Sequence, residues 1–134
     1  MACLPDTNIW IHHLKQTGGP VEQRLRQLTP AEVFLCSVVK AELLLGARKY
    51  GNPERRTAIL AALFAPFESL PFDDDAAAHY ADIRHQLELQ GAIIVPNDLQ
   101  IAAIARAHGL TLVTTNSNEF KRVPGLKVED WTQL

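Results

Sequence analysis

The feature that most constrains this chain is an alternation between short extended apolar runs and longer stretches with helical periodicity. The segments "ACLP", "EVFLCS", "LTLVTT" and "LKVEDW" have the length and composition of strands, and "ESLPF" is a strand or an extended segment. Parallel neighbouring strands need a crossover connection, usually a helix. The alternation therefore predicts an α/β fold of three α/β/α layers with a mainly parallel sheet of four to five strands.

The helical stretches carry start and stop signals of their own. Pro20 stands at the first position of one helix, Ser37 can cap the helix "SVVKAELLLGARKY", and Gly91 follows the end of a long helix. In the first helix, "TNIWIHHLK", three residues are expected to face inward: Ile9, Trp10 and Leu14.

Length and charge limit the classes of protein that fit. The chain of 134 residues suits one compact domain over residues 1–134. The formal net charge of -2 gives no sign of a uniformly basic surface. If the partner is a nucleic acid, binding must use a local patch or a metal ion rather than bulk charge.

The two cysteines and the N-terminus bear on the compartment. Cys3 and Cys36 make no zinc-ligand spacing, and both lie in apolar, strand-like segments. They are expected to be buried thiols in a reducing compartment. The chain begins "MACLPDTNIW", which does not resemble a signal peptide, and no apolar run approaches the ~20 residues of a membrane span. A cytoplasmic protein with no membrane partner is the expectation.

Four polar residues follow predicted strands or open predicted helices. Asp6 ends the first strand, Glu42 lies early in the helix after the second, Asp98 opens the helix "NDLQIAA", and Asn116 follows "LTLVTT". Because ligands of open parallel sheets bind beyond the carboxyl ends of the strands, these four side chains could converge on one pocket.

Each of these residues also has a purely structural interpretation. Asp6 and Asp98 could cap helices, and Asn116 is an ordinary turn residue. Glu42 is different, because it is the only acid in the apolar stretch "VVKAELLLGA" and lies too deep in the helix to cap it. It either reaches solvent or a base such as Lys49, or it belongs to a site. Three converging carboxylates would favour a bound cation, and oxygen ligands select Mg²⁺ or Mn²⁺ over zinc.

At this point the sequence resembles the PIN-domain family, and within it the VapC-type toxins of bacterial toxin–antitoxin modules. The matching stretches are "DTNIWI" at 6–11, "SVVKAELLLGA" at 37–47, "PNDLQIAAIARAHGLTLVTTN" at 96–116 and "EFKRVPGLKVEDW" at 119–131. Their order and spacing together are specific, although each alone is weak. The family consists of small endoribonucleases that depend on Mg²⁺, for which Mn²⁺ can substitute.

The resemblance implies roles for individual residues. Asp6, Glu42 and Asp98 match the three acids that hold the metal, and Asn116 matches a fourth catalytic position that is Asp or Asn in the family. Thr114 matches a hydroxyl residue that supports the site. A neutral amide at Asn116 binds a divalent cation more weakly than a carboxylate, so one ion is expected in the free protein and a second with the RNA phosphate.

Partners follow from the same resemblance. It implies an RNA substrate, structured RNA such as tRNA, a homodimer, and a cognate VapB-type antitoxin whose apolar tail packs beside the "VVKAELLLGA" helix. Four residues could supply that surface or could be core: Trp10, Leu14, Leu25 and Leu28.

Other readings stay open. A PIN-domain nuclease of RNA processing without an antitoxin would match the same stretches, and so would a PIN domain that has lost activity and only binds.

Pro5, in place of the usual apolar residue, removes a backbone donor and is expected at the last position of its strand, beside the active site.

Overall fold

The computed structural model describes residues 1–132, and within them the chain forms five strands, seven α-helices and one 3₁₀ turn. The strands are β1 (Cys3–Pro5), β2 (Phe34–Cys36), β3 (Glu68–Leu70), β4 (Thr111–Val113) and β5 (Val128–Glu129). The helices are α1 (Thr7–Lys15), α2 (Pro20–Arg26), α3 (Ser37–Lys49), α4 (Pro53–Phe64), α5 (Asp74–Leu89), α6 (Pro96–Ala107) and α7 (Ser117–Phe120), and the 3₁₀ turn spans Pro30–Glu32. The predicted order of elements is therefore confirmed.

All the strand pairs are parallel. One ladder has the order β1-β4-β5, and the other pairs β2 with β3. A single parallel bridge from Cys3 to Val33 joins the two ladders, which gives the spatial order β3-β2-β1-β4-β5. The three-layer α/β/α class predicted from the alternation of patterns is confirmed. Because every strand runs the same way, their carboxyl ends share one edge of the sheet.

Local signals fix most helix ends. The side chain of Asp73 caps α5 by accepting from the amide of Ala76 at 2.9 Å. Gly91, with φ of +68°, ends α5 in a conformation that favours glycine. The prediction that Ser37 caps α3 is wrong. Ser37 is the first residue of that helix, and its hydroxyl donates to the carbonyl oxygen of Leu70 at 3.3 Å, which ties α3 to the end of β3.

The core is built from the strands and from the inner faces of the helices. Ile9 and Trp10 of α1 are fully buried, as predicted, and Trp10 packs on Phe67 with ring centroids 5.4 Å apart. Leu14 does not face inward, because its side chain is 40% exposed in the last turn of α1. Pro5 occupies the last position of β1, as expected from its missing donor.

Arg106 of α6 fastens the outer elements together. Its guanidinium donates to His79 at 2.8 Å and to Asp82 at 2.7 Å, both on α5, and to the carbonyl oxygen of Pro124 at 3.0 Å. The side chain is 14% exposed, so these contacts are partly shielded from water. The network keeps α5 and the turn before β5 packed on α6. No helix within residues 1–132 is long and apolar enough to cross a membrane.

Both cysteines are free and buried, on adjacent strands β1 and β2. Burial raises the pKa of the Cys3 thiol to about 12 and that of the Cys36 thiol to about 11. Since the thiolate is the reactive form, neither sulfur should react while the protein is folded.

We expect the native protein to show no labelling by Ellman's reagent at pH 8, and two thiols per chain to react at once in 6 M guanidinium chloride. At lower guanidinium concentrations that still unfold the protein, the labelling rate should follow the global unfolding rate measured by circular dichroism. Rapid labelling of one thiol in the native state would contradict the burial of that strand.

Candidate active site

The carboxyl edge of the sheet collects the polar residues that the sequence singled out. Asp6 comes directly after β1, and Asn116 lies three residues beyond the end of β4, the strand that pairs with β1. Glu42 lies in α3, which begins as soon as β2 ends, and Asp98 lies in the first turn of α6. The parallel topology therefore brings all four to one edge of the sheet.

Asp6 is the most buried of these acids, with 5% of the residue exposed. Its Oδ1 caps α1 by accepting from the amide of Ile9 at 3.1 Å, and its own amide donates to the carbonyl oxygen of Val113 at 2.8 Å. Burial raises the pKa of the Asp6 carboxyl. The nearby charge of Glu42 adds to the rise, and hydrogen bonds from Thr114 and Ile9 oppose it. Asp6 is thus both a helix cap and an acid of the site.

Glu42 contacts polar donors of two other elements. The hydroxyl of Thr7 donates to its Oε1 at 2.6 Å, and the amide of Asn97 lies 3.5 Å from its Oε2. In the described part of the chain, no lysine, arginine or histidine forms a salt bridge with this carboxylate. The acid within the apolar stretch therefore faces α1 and the start of α6, where the other acids lie.

The pKa of Asp98 reflects the negative charge that surrounds its carboxyl group. Its pKa is raised to about 6, first by burial and then by the charges of Asp6, Glu42 and Glu119. A helix start ordinarily favours a carboxylate, so the raised value means that burial and like charges outweigh the helix dipole. Asp98 is consequently more than an acid placed to complement a helix end.

Asn116 does not stand alone at the fourth position. It precedes the first residue of α7, its amide nitrogen donates to the hydroxyl of Thr114 at 2.9 Å, and its side-chain amide donates to Glu119. Glu119 is one of the three acids whose charges raise the pKa of Asp98. The fourth position of the site therefore contains the amide of Asn116 in contact with the carboxylate of Glu119.

Glu119 is the site residue that sequence reasoning missed. The sequence places Glu119 in the matching stretch "EFKRVPGLKVEDW" but gives this acid no role. One signal could have identified it: Glu119 lies three positions after Asn116, and positions three apart share one face of a helix. An acid there points back toward the strand end that Asn116 follows.

The donor set fits a hard divalent cation. Its members are carboxylate, hydroxyl and amide oxygens. The raised pKa of Asp98 reflects burial and repulsion among carboxylates, and a bound cation would reduce that repulsion. Within residues 1–132, no three acidic, histidine or cysteine side chains stand close enough to enclose an ion on their own. Mg²⁺ is a hard ion of this kind, and it commonly completes its coordination with waters.

An apolar groove of about 430 Å³ runs beside these acids. It is bounded by α1, α3 and α4, and Glu42 stands on its edge. Its apolar lining includes Ile11, Leu14, Leu43, Ala47, Ile59 and Leu60. Of the four residues suggested for a partner surface, only Leu14 lines it. Trp10 is core, and Leu25 and Leu28 pack against the core.

Known proteins resemble this chain over nearly its whole length. Residues 3–126 match the family model of the PIN domain. The chain is 39% identical over 127 residues to the tRNA(fMet)-specific endonuclease VapC of Shigella flexneri, covering 95% of this chain and 96% of that protein. It is 37% identical to ribonuclease VapC2 of Haemophilus influenzae, over 94% of this chain and 95% of that protein.

Solved structures show the same likeness. The DNA-bound VapBC complex of Salmonella typhimurium contains a chain that superposes with a TM-score of 0.92 at 34% identity, covering 98% of both chains. Family model, sequence identity and backbone agree over nearly the whole length. This chain belongs to the PIN-domain family and, within it, to the VapC ribonucleases.

Proposed function

We propose that this protein is a Mg²⁺-dependent endoribonuclease toxin of a toxin–antitoxin module, and that Mn²⁺ can substitute for Mg²⁺. It hydrolyses phosphodiester bonds of structured RNA such as tRNA, and a VapB-type antitoxin neutralises it. The observation that supports the proposal is the position of Asp6, Glu42 and Asp98 at the carboxyl edge of the parallel sheet, where burial and the charges of neighbouring acids raise the pKa of Asp98. The names of the relatives, tRNA(fMet)-specific endonuclease and ribonuclease, support it.

Asp6, Glu42 and Asp98 would hold the cation, with the Asn116–Glu119 pair beside them. When bound, Mg²⁺ supplies the polarisation of a phosphate oxygen and lowers the pKa of a bound water. The protein contributes preorganisation: Ile9 and Thr114 fix the carboxylate of Asp6 by hydrogen bonds before any ligand arrives.

RNA would be held by basic side chains that have no acidic partner. Arg24 pairs with Glu129 at 3.0 Å and Arg26 with Glu22 at 2.8 Å, so neither is a strong candidate. Lys121 and Arg122 are exposed and directly follow α7, which carries Glu119. They are the basic residues that the chain order places nearest the acid of α7.

The cytoplasm, where RNA is available and the buried thiols stay reduced, is the proposed compartment. A homodimer stays a prediction.

Two alternatives give different experimental results. An inactive binding module would bind RNA without cleaving it in any divalent metal ion. An RNA-processing nuclease without an antitoxin would cleave RNA but would have no inhibitory partner encoded beside it. The neighbouring reading frame and a cleavage assay therefore separate the three readings.

Removal of the metal or of either buried acid should abolish cleavage. With Mg²⁺ or Mn²⁺, purified protein should cut tRNA, and excess EDTA should stop the reaction. Asp6→Asn and Asp98→Asn should each lower the rate by about 100-fold or more. Glu119→Gln should cost about tenfold, because its charge acts from the edge of the site.

Glu68→Gln, which removes an exposed acid of β3, is the matched control and should cleave like the wild type. Gel assays with end-labelled tRNA give the rates. Undiminished cleavage in EDTA, or in both aspartate variants, would sink the metal-nuclease proposal.

The pKa of Asp98 predicts how stability depends on pH without metal. Its folded value of about 6 exceeds its ordinary value of 3.8, so the folded state binds the proton more tightly. Folding stability from this group is therefore full below about pH 4 and is lost as pH rises through about 6. At pH 7.5 in EDTA, Asp98→Asn should be more stable than the wild type by about 1–2 kcal/mol.

Urea titrations at pH 4 and pH 7.5 measure the effect. The advantage of Asp98→Asn should vanish at pH 4, and Mg²⁺ should stabilise the wild type more than the variant. The difference in stability between Glu68→Gln and the wild type should be the same at pH 4 and pH 7.5, because this variant keeps Asp98. An Asp98→Asn variant that is less stable at pH 7.5 in EDTA would contradict the crowding of charges.

We propose that an apolar segment of the antitoxin binds in the groove, and that a basic residue of that segment contacts Glu42. Leu14→Glu combined with Ile59→Glu places charge on its lining and should weaken assembly with the antitoxin by about 100-fold or more. Cleavage by the free protein should stay within about threefold. Ala58→Glu, at an exposed position of α4 that does not line the groove, is the control. Unchanged affinity of the double variant by calorimetry would refute this location.

A further inference from the structure

We propose that Thr7 is a positioning residue that holds the carboxylate of Glu42 at the active site. The proposal deepens the proposed nuclease function and rests on it. The hydroxyl of Thr7 donates to Glu42 Oε1 at 2.6 Å, which links two residues 35 positions apart and joins α1 to α3. A hydrogen bond to a charged acceptor is stronger than one between neutral groups.

Glu42 needs such a contact because little else confines it. Its side chain is unbranched and half-buried, and the groove of about 430 Å³ opens beside it. Rotamers that point into the groove are therefore accessible to it. The contact from Asn97, at 3.5 Å, lies at the outer limit of a hydrogen bond. The hydrogen bond from Thr7 is the interaction that selects the rotamer facing the other acids.

Thr7 is itself fixed by the turn that fixes Asp6. It is the first residue of α1, and Asp6 caps that helix through the amide of Ile9 at 3.1 Å. The amide of Asp6 also donates to β4 at Val113, at 2.8 Å. The branched side chain of threonine has few rotamers. The position of the Thr7 hydroxyl is therefore tied to that of the Asp6 carboxylate.

Through this one hydroxyl, Asp6 and Glu42 are held at a set separation even though they belong to different helices. The charge of Glu42 acts on both Asp6 and Asp98, so its placement affects how strongly the site attracts a cation. If Thr7 loses its hydroxyl, Glu42 can turn toward the groove, and the site loses a nearby negative charge. Metal affinity and turnover should fall together, while RNA binding at the basic residues should not.

Thr7→Val removes the hydroxyl and keeps the shape of the side chain, and Thr7→Ser keeps the hydroxyl. For Thr7→Val we expect kcat to fall about tenfold, KM for tRNA to change less than twofold, and the Kd for Mn²⁺ without RNA to rise three- to tenfold by calorimetry. Tenfold corresponds to about 1.4 kcal/mol, the size of one hydrogen bond to a charged group. Thr7→Ser should recover both quantities to within about threefold.

Thr57→Val, at an exposed threonine of α4, is the matched control and should behave like the wild type. If Thr7→Val binds Mn²⁺ and cleaves like the wild type while Glu42→Gln loses both properties, the role of Thr7 is overturned. Equal losses in Thr7→Val and Thr7→Ser would also overturn it, because the hydroxyl would then not matter. If the wild type cleaves no RNA, the nuclease proposal fails. The Mn²⁺ affinities and a crystal structure of Thr7→Val would still decide whether Thr7 holds Glu42.

Discussion

Repulsion among carboxylates at one edge of the sheet is the constraint on which the rest of this site depends. Parallel strands end at the same edge, so residues that follow different strands are brought together whatever their charge. The outcome is visible at Asp98, whose pKa of about 6 reflects burial and the charges of Asp6, Glu42 and Glu119. Such a cluster is stable only when protons, hydrogen-bond donors or a cation offset its charge.

The fold supplies part of that offset itself. Asp6 receives hydrogen bonds from the backbone of Ile9 and the hydroxyl of Thr114, and Glu42 receives one from Thr7. These donors belong to the turns and helix starts that follow β1 and β4. The same hydrogen bonds that begin α1 therefore orient the acids, which means that part of the stability of the fold and the geometry of the site depend on the same atoms.

The groove gives the acids a second neighbour. Glu42 belongs both to the acidic cluster and to the edge of a cavity between α1, α3 and α4. A segment bound in that cavity would pass within reach of a carboxylate without having to enter between Asp6 and Asp98. In the proposed function, Glu42 would thus contribute both to catalysis and to inhibition by the antitoxin. The lining of the groove also includes Lys15 and Arg56, so it carries charges of both signs.

The order of strands and helices could be predicted from the sequence, because hydrophobic periodicity and helix-end signals such as Pro20 and Gly91 act within a few residues. The positions of Asp6, Glu42 and Asp98 at the carboxyl edge could be predicted as well, since parallel topology follows from the alternation of elements. The donors that those acids contact depend instead on the three-dimensional packing. The contacts of Thr7 with Glu42 and of Ser37 with Leu70 join residues far apart in the chain, and the exposure of Leu14 depends on how α3 and α4 pack beside α1. Sequence patterns that span a few residues do not predict such contacts, because the contacts are set by the packing of whole elements against one another.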